Sequence, residues 1–243
     1  MNKLKCLNAT HLKIIAMVCM LLDHMWATVM DGNLWMTCVG RIAFPIFAFQ
    51  VAEGYAHTKN FKKYLLRMFL FALISEIPYN LMAGGWWFSP FGQNVMFTFC
   101  LALLLIRLVD KARAKHWALG LAVTVVGAFV GYWVGMFTFV DYYGYGILMV
   151  LVFWLFRKVR FGWLITLAAM IYINFVMIGG LHLEFTLFGQ NMLFAQQGFA
   201  VLAMIPIALY NGKRGLEAKW FQYLGYAFYP VHMLILALIA MLF

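Results

Sequence analysis

Charged side chains are scarce in this sequence. Of 243 residues, 11% are charged and 66% are hydrophobic, and the mean hydropathy is +0.88. A soluble domain of this length needs many more polar side chains to cover its surface, so a soluble fold is excluded. Acidic residues are the scarcer sign: there are 8, against 18 Lys and Arg, which gives a formal net charge of +10. The composition therefore predicts a basic, polytopic membrane protein.

Cysteine is also rare, and its spacing excludes two classes of site. The four cysteines, Cys6, Cys19, Cys38 and Cys100, form no C-x-x-C pair. All but Cys6 fall in apolar segments, where a free thiol packs like a small hydrophobic side chain. We therefore expect neither a disulfide framework nor a bound metal.

Long apolar runs are what the chain does contain. Windows of about 20 apolar residues, enough to cross roughly 30 Å of hydrocarbon, recur from one end to the other. They predict an all-α, polytopic transmembrane helix bundle that forms a single domain over residues 1–243. About nine spans (eight to ten) are expected, with approximate bounds 12–30, 34–56, 61–83, 93–110, 116–136, 143–156, 161–180, 195–210 and 221–243.

The distribution of basic residues agrees with this span count. Of the 18 Lys and Arg residues, 16 lie at the N-terminus or near the loops that follow every second span. The intervening loops, 31–33, 84–92, 137–142 and 179–194, contain none. By the positive-inside rule the N-terminus is cytoplasmic. Because these charges lie at helix ends, where they meet the lipid bilayer, we expect no binding of nucleic acid.

Two ionisable residues interrupt the first apolar segment. Asp23 and His24 lie deep within "LKIIAMVCMLLDHMWATVM" (12–30), where burial in hydrocarbon is costly. Arg41 lies at a similar depth in the next, antiparallel span, so Asp23 and Arg41 are expected to pair. Intramembrane charges of this kind indicate either a functional site or a structural ion pair between helices.

The spacing of Lys13 and His24 is compatible with a functional site. The two residues are 11 positions apart, close to three helical turns, so both project from one helix face about 16 Å apart along the axis. A cation at the membrane surface and an imidazole far inside suit a long, thin ligand with a phosphate head and a reactive tip, such as acyl-CoA. The alternative is that Lys13 only sets orientation and that Asp23 and His24 are structural.

Further polar residues extend this prediction on both sides of the membrane. The basic loop "YNGKRG" (210–215) combines glycines, whose backbone N–H groups can approach phosphate, with two cations. Together with Lys13 it is predicted to bind CoA phosphates, through Tyr210, Asn211, Lys213 and Arg214, with His57, Lys59 and Lys62 lining the same mouth. Three residues are candidates for the acceptor path or for orienting the reactants, with hydrogen bonding between or within helices as the alternative: Glu76, Asn94 and His232.

One internal similarity concerns the external segments. "FSPFGQNVMF" (88–97) and "FTLFGQNMLF" (185–194) match at 6 of 10 positions. We interpret both as turns that lead into a helix. Gln93, Asn94, Gln190 and Asn191 are expected to cap helix ends or to line an external cleft.

Several stretches resemble known membrane proteins. Lys13-x10-His24 is similar to the [Arg/Lys]-x10-His motif of the membrane acyltransferase type 3 family. The chain more specifically resembles the TraX family, in the stretches "LKIIAMVCMLLDH" (12–24), "GRIAFPIFAFQVAEGYAHTKN" (40–60), "KYLLRMFLFALISEIPYN" (63–80), "NVMFT" (94–98) and "LYNGKRG…FYPVHMLIL" (209–236). The middle of the chain, about 110–195, matches only in hydropathy.

The resemblance implies a function. It implies an integral protein of the bacterial inner membrane that transfers an acyl group, with acetyl expected, from cytoplasmic acetyl-CoA to a hydroxyl or amine reached from the outside. His24 would be the general base, and Asp23 would fix Arg41, which would stabilise the oxyanion. The acceptor would be a protein amine such as that of pilin, a glycan or a small molecule. A proton- or ion-coupled transporter is the main alternative, and a non-catalytic scaffold is the other.

Overall fold

The computed structural model describes residues 5–187, 189–216 and 218–242. It is mostly helical, with 74% helix and 6% strand. The helices are α1 (Ala9–Thr28), α2 (Leu34–Gly40), α3 (Ala43–His57), α4 (Phe61–Gly84), α5 (Val95–Lys115), α6 (Trp117–Phe137), α7 (Tyr143–Phe156), α8 (Gly162–Ile171), α9 (Met204–Ala208) and α10 (Lys219–Ala240). Between α8 and α9 lie a π-helix (Tyr172–Ile178), two strands, β1 (His182–Leu187) and β2 (Gln190–Ala195), and a 3-10 helix (Gln196–Ala203).

Four helical stretches of the described residues have the length and the apolar composition to cross a membrane: Leu34–His57, Phe61–Gly84, Trp117–Phe137 and Tyr223–Ala240. Shorter apolar helices lie at Tyr143–Phe156, Gly162–Ile178 and Gln196–Ala208. Helices α1 and α5 are also long, with 20 and 21 residues, but ionisable residues lie within them. The predicted helical membrane protein is thus confirmed in its class, while the number of spans and the position of the N-terminus stay predictions.

Asparagine side chains define where several helices begin. Asn8, Asn60 and Asn94 are the N-caps of α1, α4 and α5, and each side chain accepts a hydrogen bond from a backbone N–H of the first turn. An asparagine in this position satisfies a donor that the helix itself leaves unpaired. At the other end of α4, Gly85 takes the left-handed conformation (φ 71°) that a side chain would resist. These caps therefore define the starts of α1, α4 and α5 and the end of α4.

The chain forms two compact units, each with its own packing. The first unit comprises Met1–Phe47 and Trp163–Gly225, and the second comprises Ala48–Gly162 and Tyr226–Phe243. In the first unit α1 packs on α2, and the 3-10 helix packs on α2 and on the π-helix. In the second unit α5 is central and contacts α4, α6 and α7, so that Leu103, Ile106 and Val109 are fully buried. The expectation of a single domain stays a prediction.

The one β-hairpin in the described part of the chain corrects an expectation. Strands β1 and β2 pair in antiparallel register, with His182 opposite Ala195 and Leu187 opposite Gln190. Asn94 does cap a helix, as expected, but Gln190 and Asn191 lie within β2, so the predicted turn into a helix is wrong there. Gly189 (φ +76°) provides the tight turn that reverses the chain. The fold class is accordingly mostly helical, with this small sheet added.

Candidate functional site

The predicted partners Asp23 and Arg41 form an ion pair in the first unit. Arg41 Nη2 contacts Asp23 Oδ2, and the two side chains are only 22% and 14% exposed. Thr37 Oγ1 donates a hydrogen bond of 2.7 Å to the other carboxylate oxygen of Asp23. A buried carboxylate with both a cation and a hydroxyl donor is well compensated for the loss of water.

Close packing of α1 against α2 brings this pair together. Helix α2 ends at Gly40, and the backbone N–H of Arg41 donates to the carbonyl of Thr37, 3.0 Å away. A Cβ atom on Gly40 would lie 2.7 Å from Asp23 Cγ, closer than carbon atoms can approach without movement. The absence of a side chain at Gly40 thus lets α2 reach the turn of α1 that carries Asp23.

Replacing Gly40 with alanine should therefore strain this contact. We expect the free energy of unfolding to fall by about 1–3 kcal/mol, the usual cost of adding a methyl group to a close-packed contact. Thermal unfolding of the purified protein in detergent would measure the change. Gly92→Ala is the matched control, because a Cβ there meets no atom within 4 Å. Equal melting temperatures for the two variants would contradict the close-packing argument.

Amide side chains extend the ion pair into a connected set, which we call the polar network: Asp23, Thr37, Arg41, Asn174, Gln196 and Gln197. Gln196 Nε2 donates to Thr37 Oγ1 over 2.5 Å. Arg41 Nη1 donates to Gln197 Oε1 over 3.4 Å, and Gln197 Nε2 donates to Asn174 Oδ1 over 2.9 Å. The amide and hydroxyl members are all buried, and such networks hold their members in one arrangement because each lost bond is costly in a low dielectric.

Sequence analysis missed Thr37, Asn174, Gln196 and Gln197. A signal for the two glutamines exists, since consecutive Gln residues are unusual at the start of an apolar run. Asn174 lies on the π-helix Tyr172–Ile178 and donates to the carbonyl of Met170 over 2.7 Å. Short π-helical segments often occur at functional sites, so the position of Asn174 is compatible with a functional role for this end of the polar network.

His24 lies on α1 immediately after Asp23. It is half-buried, and Thr28 Oγ1 donates a 2.6 Å hydrogen bond to its backbone carbonyl. Because α1 is continuous from Ala9 to Thr28, Lys13 and His24 lie on one face of the helix, separated by about 16 Å along its axis. The predicted shared face is consistent with this continuous helix, whereas the role of His24 stays a prediction.

The basic loop lies against the beginning of α1. Leu7 and residues 209–211 form a short bridge, with Leu7 N–H donating to the carbonyl of Leu209 (3.0 Å) and Asn211 N–H donating to that of Leu7 (2.8 Å). Ala9 N–H donates to the carbonyl of Lys213 (2.9 Å), and Leu216 N–H donates to Thr10 Oγ1 (2.8 Å). The predicted proximity of this loop to the start of α1 is therefore present within the first unit.

Three cations lie at this end of the first unit, one on α1 and two on the loop beside its start, and we call Lys13, Lys213 and Arg214 the basic mouth. Lys13 Nζ lies 5.6 Å from the centre of the Phe221 ring and within electrostatic range of Arg214. Among the described residues no carboxylate forms an ion pair with any of the three. Like charges held together in this way favour an anionic ligand such as a phosphate.

Tyr210 and Asn211 make contacts within the basic loop and with the start of the chain. Tyr210 takes part in the bridge to Leu7, and Asn211 Oδ1 accepts a 2.8 Å hydrogen bond from the backbone of Lys213. Gly212 and Gly215 have φ of +78° and +80°, which a glycine adopts without strain. Both residues thus contribute to the backbone shape of the basic loop, and their predicted role in binding CoA stays a prediction.

The other predicted donor-binding residues lie in the second unit. His57 Nδ1 is 2.9 Å from the carbonyl oxygen of Glu53 and 3.8 Å from its carboxylate, and Lys59 and Lys62 are exposed near the start of α4. These three residues belong to a different compact unit from Lys13, and their expected place at the donor-binding mouth stays a prediction from the sequence. Among the described residues no group of three or more His, Cys, Asp or Glu is placed to hold a metal ion.

The acceptor-path candidates also lie in the second unit. Asn94 Nδ2 donates to Glu76 Oε2 (2.5 Å) and to the carbonyl of Ala72 (2.8 Å), so the asparagine that caps α5 also ties it to α4. His232 is buried on α10, with Nδ1 2.6 Å from the carbonyl oxygen of Phe228. This contact suits the tautomer that carries hydrogen on Nδ1.

Comparison with known proteins gives the family. A protein of Dichelobacter nodosus described as "Probable fimbrial assembly protein FimC, serogroup H1" is 28% identical in an alignment of 259 positions that covers 94% of each chain. No solved structure matches the chain. The family described as TraX protein matches residues 8–240. The chain therefore belongs to the TraX family.

Proposed function

We propose that this protein is an integral membrane acyltransferase that moves an acyl group, with acetyl expected, from acyl-CoA to an acceptor amine or hydroxyl. The observation that carries the proposal is the arrangement along α1. The basic mouth lies at one end of this helix, His24 lies about 16 Å further along the same face, and the Asp23–Arg41 pair is adjacent.

The basic mouth fits the phosphates of coenzyme A. Lys13, Lys213 and Arg214 supply the charge, and the loop around Gly212 and Gly215 brings backbone close to a bound anion. A pantetheine arm that runs along α1 from these cations would carry the thioester towards His24. The residues of the mouth would thus hold the donor, and the deeper residues would act on its reactive end.

His24 would act as the general base. Its neutral imidazole takes the proton from the acceptor O–H or N–H as that oxygen or nitrogen bonds to the thioester carbonyl carbon. The carbon–sulfur bond then breaks, and the imidazolium returns the proton to the departing thiolate. The acyl group ends on the acceptor, free CoA is released, and His24 is neutral again.

Arg41 would stabilise the negative charge that develops on the carbonyl oxygen. A guanidinium in a partly buried site is more effective than one in water because the local dielectric is lower. Asp23 and Gln197 both contact Arg41 and hold it in place. The rest of the polar network would act as positioning residues: Thr37 bonds to Asp23, Asn174 bonds to Gln197, and Gln196 bonds to Thr37.

A fimbrial subunit is the acceptor that the comparison supports. The Dichelobacter relative is described as a fimbrial assembly protein, and modification of a pilin amine is one reaction compatible with such a role. A glycan and a small molecule remain acceptors to be tested alongside it. The finer topology belongs to the same proposal: about nine spans, a cytoplasmic N-terminus and a location in the bacterial inner membrane.

Calorimetric titration of the purified protein with acetyl-CoA tests the proposal directly. We expect acetyl-CoA and CoA to bind in a one-to-one ratio and dephospho-CoA to bind more weakly, because it has fewer phosphate charges. Release of CoA thiol in the presence of a fimbrial subunit measures the reaction itself. Absence of binding by a monodisperse, folded preparation would refute the acyltransferase proposal.

Replacing Lys13 with glutamine should weaken donor binding more than the chemical step. Loss of one charge-assisted contact to phosphate should raise the Kd for acetyl-CoA by about 10- to 100-fold. Turnover at saturating donor should change by less than about threefold, because Lys13 is remote from the reacting atoms. Lys63→Gln, which removes the same charge from an exposed site on α4, is the control. An equal fall in turnover for Lys13→Gln would contradict this division of roles.

A proton- or ion-coupled transporter is the second candidate. The polar network favours it to some degree, because a chain of buried carboxylate, guanidinium and amide groups is also typical of transport pathways. The basic mouth distinguishes the two, since transport of a proton does not need a phosphate-binding cluster. Uptake of protons or cations by reconstituted vesicles without any acyl-CoA would favour the transporter.

A further inference from the structure

Two arginines of the second unit converge on one buried tryptophan. Arg113 lies near the end of α5, and Arg157 follows α7. Their Cζ atoms are 5.5 Å and 5.0 Å from the centre of the Trp154 ring, and Trp154 is only 3% exposed. Both guanidinium groups therefore pack against the same indole ring.

Both arginines are held by neighbouring backbone. Arg157 Nη1 donates a 2.9 Å hydrogen bond to the carbonyl of Trp154. Gly120 of α6 packs on Arg113 so closely that a Cβ there would lie 2.9 Å from Arg113 Cα. This contact places Arg113 beside the first turn of α6, a helix with the length and apolar composition to cross a membrane.

Neither arginine pairs with a carboxylate of the described residues, and Asp110, one turn before Arg113 on α5, contacts Tyr55 and Arg107 instead. Among the described residues the ion pair on this part of α5 joins Arg107 to Asp110, 3.9 Å apart, and neither Arg113 nor Arg157 forms one. The Nε1 of Trp154 is buried and has no hydrogen-bond partner within the described chain. Two guanidiniums and a spare N–H donor around one ring form a suitable site for the oxygens of a phosphate.

We propose that Arg113, Trp154 and Arg157 bind a phosphate group, supplied by the headgroup of an anionic phospholipid or by a free phosphate compound. The guanidiniums make paired hydrogen bonds to phosphate oxygens, and the indole fixes the angle between them through cation–π contact. This site lies in the second unit and uses none of the residues of the basic mouth or the polar network. It is therefore independent of the proposed acyltransferase activity.

The experiment uses the full-length protein, purified in detergent and stripped of lipid. Native mass spectrometry counts bound phosphatidylglycerol, and thermal unfolding measures stabilisation by phosphatidylglycerol, by phosphatidylcholine and by sodium pyrophosphate. We expect phosphatidylglycerol to bind and to raise the melting temperature. Stabilisation or displacement of lipid by pyrophosphate would identify a free phosphate compound as the ligand, and its absence would identify the lipid headgroup.

Three variants make the test specific. The pair R113Q/R157Q should lose affinity for the ligand by at least about tenfold, because two charge-assisted contacts disappear. R113K/R157K keeps both positive charges, and therefore the orientation in the membrane, but lacks the planar fork, so it should also bind at least about threefold more weakly. R160Q is the matched control: Arg160 lies 5.2 Å from the Phe161 ring, but that ring is 58% exposed and only one guanidinium is present.

The outcomes separate cleanly. Retention of wild-type affinity by R113K/R157K would overturn the geometric part of the proposal, and this variant keeps the test valid if the glutamine pair does not fold. A loss with R160Q as large as that with R113Q/R157Q would mean that only the net charge matters. Failure of the wild-type protein to bind phosphatidylglycerol or pyrophosphate, or equal binding of phosphatidylcholine and phosphatidylglycerol, would overturn the proposal.

Discussion

Replacing His24 with alanine is expected to reduce acyl transfer by at least about 100-fold, the lower end of what a general base contributes. The variant lacks the group that accepts the proton of the attacking amine or hydroxyl, so the acceptor must attack while still protonated. Binding of acetyl-CoA should stay within about threefold of wild type, because the basic mouth lies about 16 Å away along α1. Measurement of CoA-thiol release and of acetyl-CoA affinity on the same preparation separates the two effects.

Two further measurements make this result specific. His116→Ala is the matched control, since His116 is an exposed residue that caps α6 and has no predicted role in transfer. This variant should lose only the capping hydrogen bond of α6, which lowers the free energy of unfolding by about 1 kcal/mol. Its turnover should be unchanged. A turnover rate for His24→Ala close to wild type, in a protein that still binds acetyl-CoA, would contradict the role of His24 as general base.

The sequence is sufficient to predict the Asp23–Arg41 pair because both residues lie at a similar predicted depth on adjacent antiparallel spans. Two opposite charges at the same depth in hydrocarbon compensate each other when they pair. The amides that complete the network could not be found this way. Gln196 and Gln197 are neutral and lie more than 150 residues from Thr37 and Arg41 in the chain, and hydropathy carries no information about such contacts.

The hairpin shows a different limit of sequence analysis. The stretch 190–195 has an apolar composition that also suits the start of a helix, and the similarity to residues 88–97 favoured that interpretation. The glycine before it and the pairing with residues 182–187 decide for a strand instead. Likewise, the distribution of basic residues predicts that the basic loop lies on the same side of the membrane as Lys13. The pairing of this loop with Leu7 depends on backbone hydrogen bonds, which composition does not encode.

The Asp23–Arg41 pair should be strongly coupled in stability. Asp23→Asn or Arg41→Gln alone leaves one largely buried charge without its partner, and we expect each to lower the free energy of unfolding by about 3–5 kcal/mol. The double variant should lose much less than the sum, because removal of both charges also removes the cost of keeping them from water. Unfolding in mixed detergent micelles measures all three.

Glu53→Gln provides the control for this cycle, because its partner His57 has a side chain that is 69% exposed. A pair with one partner largely in water should contribute less than about 1 kcal/mol. Strictly additive losses for Asp23→Asn and Arg41→Gln would show that the two groups do not interact in the membrane-embedded protein.

The same double variant also decides between the two interpretations of the pair. If Asp23 and Arg41 only join α1 to α2, a folded double variant should keep its rate of acyl transfer, since helix packing survives. If Arg41 stabilises the oxyanion, the rate should fall by about 100- to 1000-fold even though stability recovers. In the second case, therefore, the double variant recovers stability relative to the single variants but does not recover turnover. That divergence is what a catalytic guanidinium predicts and a structural one does not.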